Sequence, residues 1–244
     1  MRIPTIHGII ERRILANYQV APDILAKVLP PPFRPKTING VGIAGICLIR
    51  LKHIKPHFIT GNFGLSSENA AHRIAVEWTE DDRLCEGVYI PRRDTSSKLN
   101  TFVGGRLFPG FHNHAQFSVV ESDSHYRVAL DSDDGKTHVL VEGQVSTDLP
   151  TTSTFGSLPE ASAFFEAGSL GYSVTSCVGE YDGLELRSLK WSVEPLQIEK
   201  IESSFFEDEH FFPQGSLRFD CALIMRNIQH EWHGRESLRH PLAV

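Results

Sequence analysis

The sequence has little of what marks several common classes of protein. Only four cysteines occur among its 244 residues, and no two form a Cys-x-x-Cys pair, which argues against a zinc ribbon or a small disulfide framework. No apolar run reaches the roughly 18 residues of a membrane-spanning helix, and the N-terminus lacks the apolar stretch of a signal peptide. We therefore expect a cytoplasmic protein with reduced, mostly buried thiols and no membrane partner.

Positive charge and nucleotide motifs are also scarce. The formal net charge is -6, so no basic surface indicates a nucleic-acid partner. Gly104-Gly105 is followed by more loop and then a strand, whereas a dinucleotide loop or P-loop leads into a helix. The Gly-x-Ser-x-Gly motif of serine hydrolases is absent from the sequence. These absences exclude a simple nucleotide-binding or hydrolase interpretation.

What the sequence does contain is a long series of strand patterns. Apolar segments recur about every 8–12 residues, with turn signals such as Asp133-Asp134-Gly135 between them. Gly42 and Gly45, inside the predicted strand 41–54, indicate a bend or a close backbone approach. Short helices are predicted at 24–29 and at 158–168, the second with Ser157 as N-cap. We predict a β-rich α+β fold, a single domain over 1–244 with a curled antiparallel sheet or barrel, one or two short helices and a polar tail from about 229.

The segment 104–114 concentrates unusual residues. It reads Gly-Gly-Arg-Leu-Phe-Pro-Gly-Phe-His-Asn-His, and its glycines and proline predict a shaped loop leading into a strand. If that strand begins at His112, its two-residue period places His112 and His114 on one face and Asn113 on the other. Two neighbouring imidazoles can serve acid–base chemistry or ligate a metal. Solvated loop histidines are the alternative.

Charged residues in two predicted strands are further candidates. Glu68, His72 and Arg73 bring an acid, an imidazole and a guanidinium together before an apolar strand, where they could take part in chemistry or form local ion pairs. Arg12 and Arg13 are adjacent in the first strand, so their side chains point to opposite faces. An inward-facing arginine needs a partner, either a protein carboxylate or an anionic substrate. The sequence leaves open which arginine faces inward.

Taken together, these segments resemble one superfamily. The segment 104–114 is similar, without a gap, to the Gly-Gly-Arg-Glu-Leu-x-Gly-Phe-Pro-Lys-Lys segment of acetoacetate decarboxylases. Four further pieces resemble their uncharacterised YqjF-like relatives: the first strand with its arginine, the helix within 21–31, the segment 68–76 and the segment 167–173. The pieces occur in the family order and span most of the chain.

The resemblance implies strands curled into a cone or barrel around an apolar pocket, in a protein that is usually oligomeric. In the decarboxylases a lysine of the Lys-Lys pair forms a Schiff base with a β-keto acid. The matching positions here are Asn113 and His114, and neither side chain forms a stable imine. The nearest lysine in sequence is Lys98. We therefore expect that this chain is not an acetoacetate decarboxylase.

We predict a protein that binds a small anionic keto or carboxylate compound in a central pocket, with lyase- or isomerase-type acid–base chemistry. No cofactor or metal is expected, and the partners are a small-molecule ligand and further copies of the chain. The alternatives are a non-catalytic binding module and a metal-dependent enzyme that uses His112 and His114. The predicted site residues are His114, His112 and Glu68 for catalysis, and Arg13, Arg106, Asn113, His72 and Phe111 for binding.

Overall fold

The computed structural model describes residues 5–58, 64–99 and 110–240. Within these ranges the chain forms fourteen strands and two short helices. The helices are α1 (Pro22–Val28) and α2 (Leu158–Ala167). The strands are β1 (Ile6–Val20), β2 (Arg34–Pro35), β3 (Thr37–Ile38), β4 (Val41–Pro56), β5 (Leu65–Glu80), β6 (Arg83–Thr95), β7 (His112–Glu121), β8 (His125–Ser132), β9 (His138–Val145), β10 (Leu170–Val174), β11 (Glu180–Ser188), β12 (Glu194–Ser203), β13 (Leu217–Gly234) and β14 (Leu238–Arg239).

All the strands belong to one sheet that curls back on itself. Its order is β14-β11-β10-β6-β7-β8-β9-β12-β13-β1-β4-β5-β2, with β3 beside β4 and with additional pairings between β5 and β6 and between β11 and β13. The predicted curled, β-rich fold with short helices is confirmed. The sheet is mixed rather than purely antiparallel, because β6 pairs in parallel with both β7 and β10. The chain between Thr95 and His112 is long enough for the return that a parallel pair needs.

Strands β1, β4 and β13 are buried on both faces. One face of β1 carries Ile14 into a cluster with Leu48 and Ile74, and the other carries Leu15 into a second cluster with Ile49. Strands covered on both sides have nearly continuous apolar sequences, as Val41 to Ile49 does here. In β1 this continuous burial begins at Ile14; before it, Arg12 is buried, and Glu11 and Arg13 are half-buried.

Close backbone packing explains the glycine of β4. A Cβ added at Gly45 would lie 2.4 Å from the carbonyl oxygen of Ala16 and 3.0 Å from Oδ1 of Asn17. Real Cβ contacts are longer than this, so a larger residue would push β1 and β4 apart. The predicted close approach at this position is confirmed.

Helix α2 begins and ends as its sequence predicts. The Ser157 hydroxyl accepts a 3.3 Å hydrogen bond from the Glu160 amide, and the Glu160 carboxylate accepts one of 2.7 Å from the Gly156 amide. These reciprocal bonds satisfy amides that the first turn leaves without helical partners. The helix buries Phe165, whose ring lies 5.0 Å from the guanidinium carbon of Arg73.

The polar segment from 229 is part of the sheet rather than a tail. β13 continues to Gly234, and β14 adds an edge pairing at Leu238. His230 is buried, and Trp232 pairs in register with Ile6 and with Leu186. The prediction was wrong because this segment alternates inward-facing and polar residues, a pattern that its overall polarity obscures.

The remaining expectations concern the thiols and the membrane. The four cysteines are free; Cys47 and Cys221 are buried, Cys85 is half-buried and Cys177 is exposed. Within the described ranges, no helix has the length and apolar character that a membrane crossing requires.

Candidate functional site

A cavity of about 130 Å³ lies on the face of the sheet that β1, β4, β5 and β6 share. This volume could hold several waters or a small organic molecule. Much of the wall is apolar and includes Ile49, Ile90, Leu186 and Trp232. The polar residues that line it are Arg13, Ser67, Asn69, Arg73, Arg93, Asp94, His112 and Ser169.

Strand register brings the cationic groups of the cavity together. Arg13 lies in β1, and Arg73 and Arg93 lie in β5 and β6, the strands that follow β4 in the sheet. His112, the first residue of β7, is the register partner of Arg93. The open question about the first strand is thereby answered: Arg13 lines the cavity and Arg12 points to the other face.

The three guanidinium groups contact neutral acceptors. Arg13 Nε donates to Cys47 Sγ at 3.3 Å, and Arg93 Nε donates to Ser173 Oγ at 3.1 Å. Arg73 donates from Nη2 to Asn17 Oδ1, while its buried Nε has no hydrogen-bond partner among the described residues. In the described part of the chain, none of the three forms an ion pair with a carboxylate. Burial lowers the pKa of Arg73 and that of Arg93 to about 10, so both stay charged at neutral pH.

His112 is a neutral imidazole at physiological pH. Burial, and secondarily the positive charge of Arg93, lower its pKa to about 3, against a hydrogen bond with the backbone of Gly110 that favours protonation. Neutral imidazole can donate a hydrogen bond from one ring nitrogen and accept one at the other. It therefore suits contact with a carbonyl oxygen better than the uptake of a proton from carbon.

Asp94, the one acidic residue among the described residues of the cavity lining, is already paired. Arg92 donates to it from Nη2 at 2.7 Å and also binds Asp134 at 2.8 Å. Burial raises the pKa of Asp94, and Arg92 opposes that shift. Asp94 therefore does not neutralise the three cavity arginines.

Glu68 lies on the opposite face of β5 from the cavity, in an ionic network. It accepts hydrogen bonds from Arg12 and Arg50, and Glu121 of β7 accepts from the same two arginines. Arg12 is only 2% exposed. A buried guanidinium is stabilised by paired carboxylates with good geometry, so this network joins β1, β4, β5 and β7 in the fold.

His72 is a core residue on the same face as Glu68. It is fully buried, its Nε2 lies 3.1 Å from Ser203 Oγ, and its ring packs 4.8 Å from that of Phe205. Burial, with a contribution from Arg92, lowers its pKa to about 3. It is a neutral packing group in this position and does not reach the cavity.

The other predicted site residues lie around the start of β7. His114 Nδ1 is 2.7 Å from Asp133 Oδ2, outside the cavity lining. Asn113 Nδ2 donates to the backbone oxygen of Arg93 at 3.1 Å, which holds β7 against β6. Phe111 is 60% exposed. Arg106 lies outside the described residues.

Sequence reasoning missed Arg93, and it noted Arg73 only beside Glu68 and His72 without including it among the predicted site residues. The sequence does contain a sign of Arg93: Arg92 and Arg93 are adjacent in β6, as Arg12 and Arg13 are in β1. In both strands one member is ion-paired and the other lines the cavity.

Two other features are separate from this cavity. His7, His53, His57 and His230 line a second cavity, of about 630 Å³. Among the described residues, one group could hold a metal: the ligand atoms of His125, Glu142 and Glu199 lie within 4.8 Å of one another, and the group includes neither His112 nor His114.

Solved structures with this architecture define its fold class. An acetoacetate decarboxylase from Legionella pneumophila superposes with a TM-score of 0.66 at 11% identity, covering 99% of this chain and 90% of that one. An acetoacetate decarboxylase-like enzyme from Sphingomonas wittichii RW1 gives 0.57 at 10% identity, covering 97% and 92%. The enduracididine biosynthesis enzyme MppR, complexed with pyruvate, gives 0.58 at 12% identity, covering 98% and 91%. The fold is that of the acetoacetate decarboxylase-like proteins.

The family follows from the sequence itself. Residues 10–217 match the model of DUF2071, described as an uncharacterized conserved protein. The chain belongs to this family, and its fold is the one that acetoacetate decarboxylase-like proteins have. A search of curated proteins found no match.

Replacing Glu68 by Gln should destabilise the protein. The change removes one of the two carboxylates that neutralise buried Arg12, and Glu121 remains to compensate in part. We expect a loss of about 2 kcal/mol in the free energy of unfolding, measured by urea denaturation at pH 7. Glu77→Gln, whose 3.5 Å ion pair with exposed Arg34 contributes little, is the control. Equal stability of Glu68→Gln and wild type would contradict the structural role of Glu68.

The buried histidines should make the protein sensitive to acid. The pKa values of His72 and His112 are about 3 and that of His230 is about 4 in the folded protein, against about 6.5 when unfolded. Below pH 6.5 the unfolded chain takes up protons that the folded one does not. Stability is thus retained above pH 6.5 and falls towards pH 4, by about 1.4 kcal/mol per pH unit for each histidine.

His72→Gln isolates one of these contributions. The free energy of unfolding, followed by urea denaturation from pH 7 to pH 4.5, should fall less steeply in this variant by about 1.4 kcal/mol per pH unit. His210→Gln, at an exposed position, should keep the wild-type slope. An unchanged slope in His72→Gln would show that His72 titrates normally in the folded protein.

Proposed function

We propose that this protein binds a small organic carboxylate or keto acid in the cavity and acts on it without forming an imine. The observation that carries the proposal is the set of three guanidinium groups that lie beside neutral His112 in an apolar cavity. Cations without protein carboxylates in a poorly solvated site attract an anionic ligand strongly. The pyruvate complex of MppR, a protein of the same fold, supports the keto-acid class.

Each polar group of the cavity takes a role that its contacts allow. Arg13, Arg73 and Arg93 hold the carboxylate, because guanidinium donors match its oxygens in charge and geometry. His112 donates a hydrogen bond to the keto oxygen. Cations fixed in a site of low dielectric also stabilise an enolate as its negative charge develops. They would thus lower the barrier to forming this charge, the barrier that an imine lowers in the decarboxylases.

The absence of imine chemistry is part of the proposal. Asn113 and His114 stand at the positions of the family Lys-Lys pair, and the described residues that line the cavity include no lysine. Lys98 is exposed. Arg106 stays a predicted contributor to anion binding, and it would add a further positive charge.

In this assignment two residues that the sequence predicted to be catalytic, Glu68 and His114, take no part in catalysis. Glu68 is bound by Arg12 and Arg50, and His114 by Asp133, so neither is available to a ligand in the cavity. We assign them to the support of the strands, with Asn113 and His72. The homo-oligomeric state rests on the resemblance alone and is tested by light scattering after gel filtration.

Borohydride trapping tests the chemistry. Wild-type protein incubated with pyruvate or acetoacetate and sodium borohydride should show no covalent adduct by intact-mass spectrometry. An acetoacetate decarboxylase treated in parallel confirms that the reagents trap an imine. A stable adduct on wild type that disappears in Lys98→Ala would overturn the proposal and give the imine role to Lys98.

Deuterium exchange tests the role of His112. Exchange of the methyl protons of pyruvate with D₂O, followed by NMR, reports enolisation whatever the final product. In this exchange a base of the buffer takes the methyl proton and His112 donates its hydrogen bond to the enolate oxygen. We expect His112→Gln to slow the exchange by about 100-fold, since removing one donor to a developing oxyanion typically costs 10²–10³. His114→Gln, a matched change two residues away, should exchange within about threefold of wild type. Binding of pyruvate without any exchange would instead identify a non-catalytic binding module.

A further inference from the structure

Three positive charges in one cavity are not neutralised by a ligand that carries a single negative charge. Arg13, Arg73 and Arg93 line the same cavity, and Arg73 is only 7% exposed. Moving an uncompensated charge out of water costs several kcal/mol. The nearby charge of Arg13 adds to the burial that lowers the pKa of Arg73, so these two groups are close enough to repel each other.

The protein supplies no free carboxylate to this cluster. Asp94 is held by Arg92, and it is the one acid among the described residues that line the cavity. The sequence segments outside the described ranges do not add one in their side chains, because 1–4, 59–63, 100–109 and 241–244 contain neither Asp nor Glu. Segment 100–109 contains Arg106 instead.

The three groups also keep most of their hydrogen-bonding capacity. Each guanidinium has five N–H donors. Among the described residues, each one has a single side-chain acceptor: the Cys47 sulfur for Arg13, the Asn17 amide oxygen for Arg73 and the Ser173 hydroxyl for Arg93. Neutral acceptors orient these side chains without neutralising them. The remaining donors are available to oxygens of a bound molecule.

We infer that the physiological ligand of this cavity is a dianion, either a small dicarboxylate or a phosphomonoester, whose two negative charges lie among Arg13, Arg73 and Arg93. The inference rests on the proposed function and makes it narrower. A monoanion such as a simple keto acid would leave two of the three cations uncompensated. A dianion leaves one positive charge uncompensated, and solvent and salt can screen a single charge of this kind.

Calorimetric titration with matched ligands tests the inference. Succinate, monomethyl succinate and methyl phosphate are titrated into wild-type protein at pH 7.5 and low ionic strength. Succinate and its monomethyl ester share a carbon skeleton and differ by one charge. We expect succinate or methyl phosphate to bind about 30-fold more tightly than the monoester. Whichever of succinate and methyl phosphate binds more tightly shows whether the ligand is a dicarboxylate or a phosphomonoester.

Variants connect the preference to the cavity. Arg93→Gln should reduce the ratio of dianion to monoanion affinity to about threefold. Arg127→Gln removes a positive charge on β8 that does not line the cavity and whose ion pair with Glu142 is long, at 3.7 Å. This control variant should keep the wild-type ratio of dianion to monoanion affinity. Circular dichroism of both variants confirms that they are folded, so loss of preference reports the site.

Each outcome separates the inference from the function on which it rests. Equal affinity for succinate and its monoester would overturn the dianion inference and leave the binding of small anions intact. A wild-type ratio retained in Arg93→Gln would also overturn it, because the second charge would then be recognised elsewhere. Failure of all three ligands and of pyruvate to bind would overturn both proposals.

Discussion

Adjacent arginines in a strand that is buried on both faces constrain this structure more than any other feature. In β1 the chain cannot expose both side chains, so Arg12 enters one half of the core and Arg13 the other. Glu68 and Glu121 neutralise Arg12, and no described carboxylate neutralises Arg13. Strand β6 repeats the division with Arg92 and Arg93. The sheet thus separates arginines that are paired with carboxylates on one face from arginines that line the cavity on the other.

This separation explains why the cavity is electrostatically prepared before a ligand arrives. Its cations are held by neutral acceptors and by aromatic rings, such as Phe165 under Arg73 and Trp191 near Arg13. His112 stays neutral beside Arg93. Groups fixed in advance do not have to reorganise as charge develops on a substrate. The cost is a cluster of repelling charges, of the kind that functional sites commonly retain at the expense of stability.

Local patterns in the sequence were sufficient for much of the fold. The period of the strands, the capping residues of α2 and the glycine at 45 each depend on neighbouring residues, and each prediction holds. The opposite orientation of Arg12 and Arg13 follows from the geometry of any strand. The parallel pairing of β6 with β7 and the incorporation of 229–234 into β13 depend on contacts between distant segments, which a single sequence does not reveal.

The candidate site was predictable only in part, for the same reason. Glu68 was identified as a reactive carboxylate because it precedes an apolar strand, but its pairing with Arg12 depends on the order of β1, β4 and β5 in the sheet. His114 is held by Asp133, at the far end of a hairpin. Arg93 could have been found by applying to β6 the reasoning used for β1. Register, not residue type, decides which charges face the cavity.

The most direct measurement is a crystal structure of the protein soaked in succinate at near-neutral pH. The charge division across the sheet predicts succinate in the cavity, with its carboxylate oxygens in hydrogen-bond contact with Arg13, Arg73 and Arg93 and with no bond to a lysine. A cavity that is empty at saturating succinate and also at saturating methyl phosphate in a parallel soak, or a cavity in which a carboxylate of the protein neutralises these arginines, would contradict this central claim.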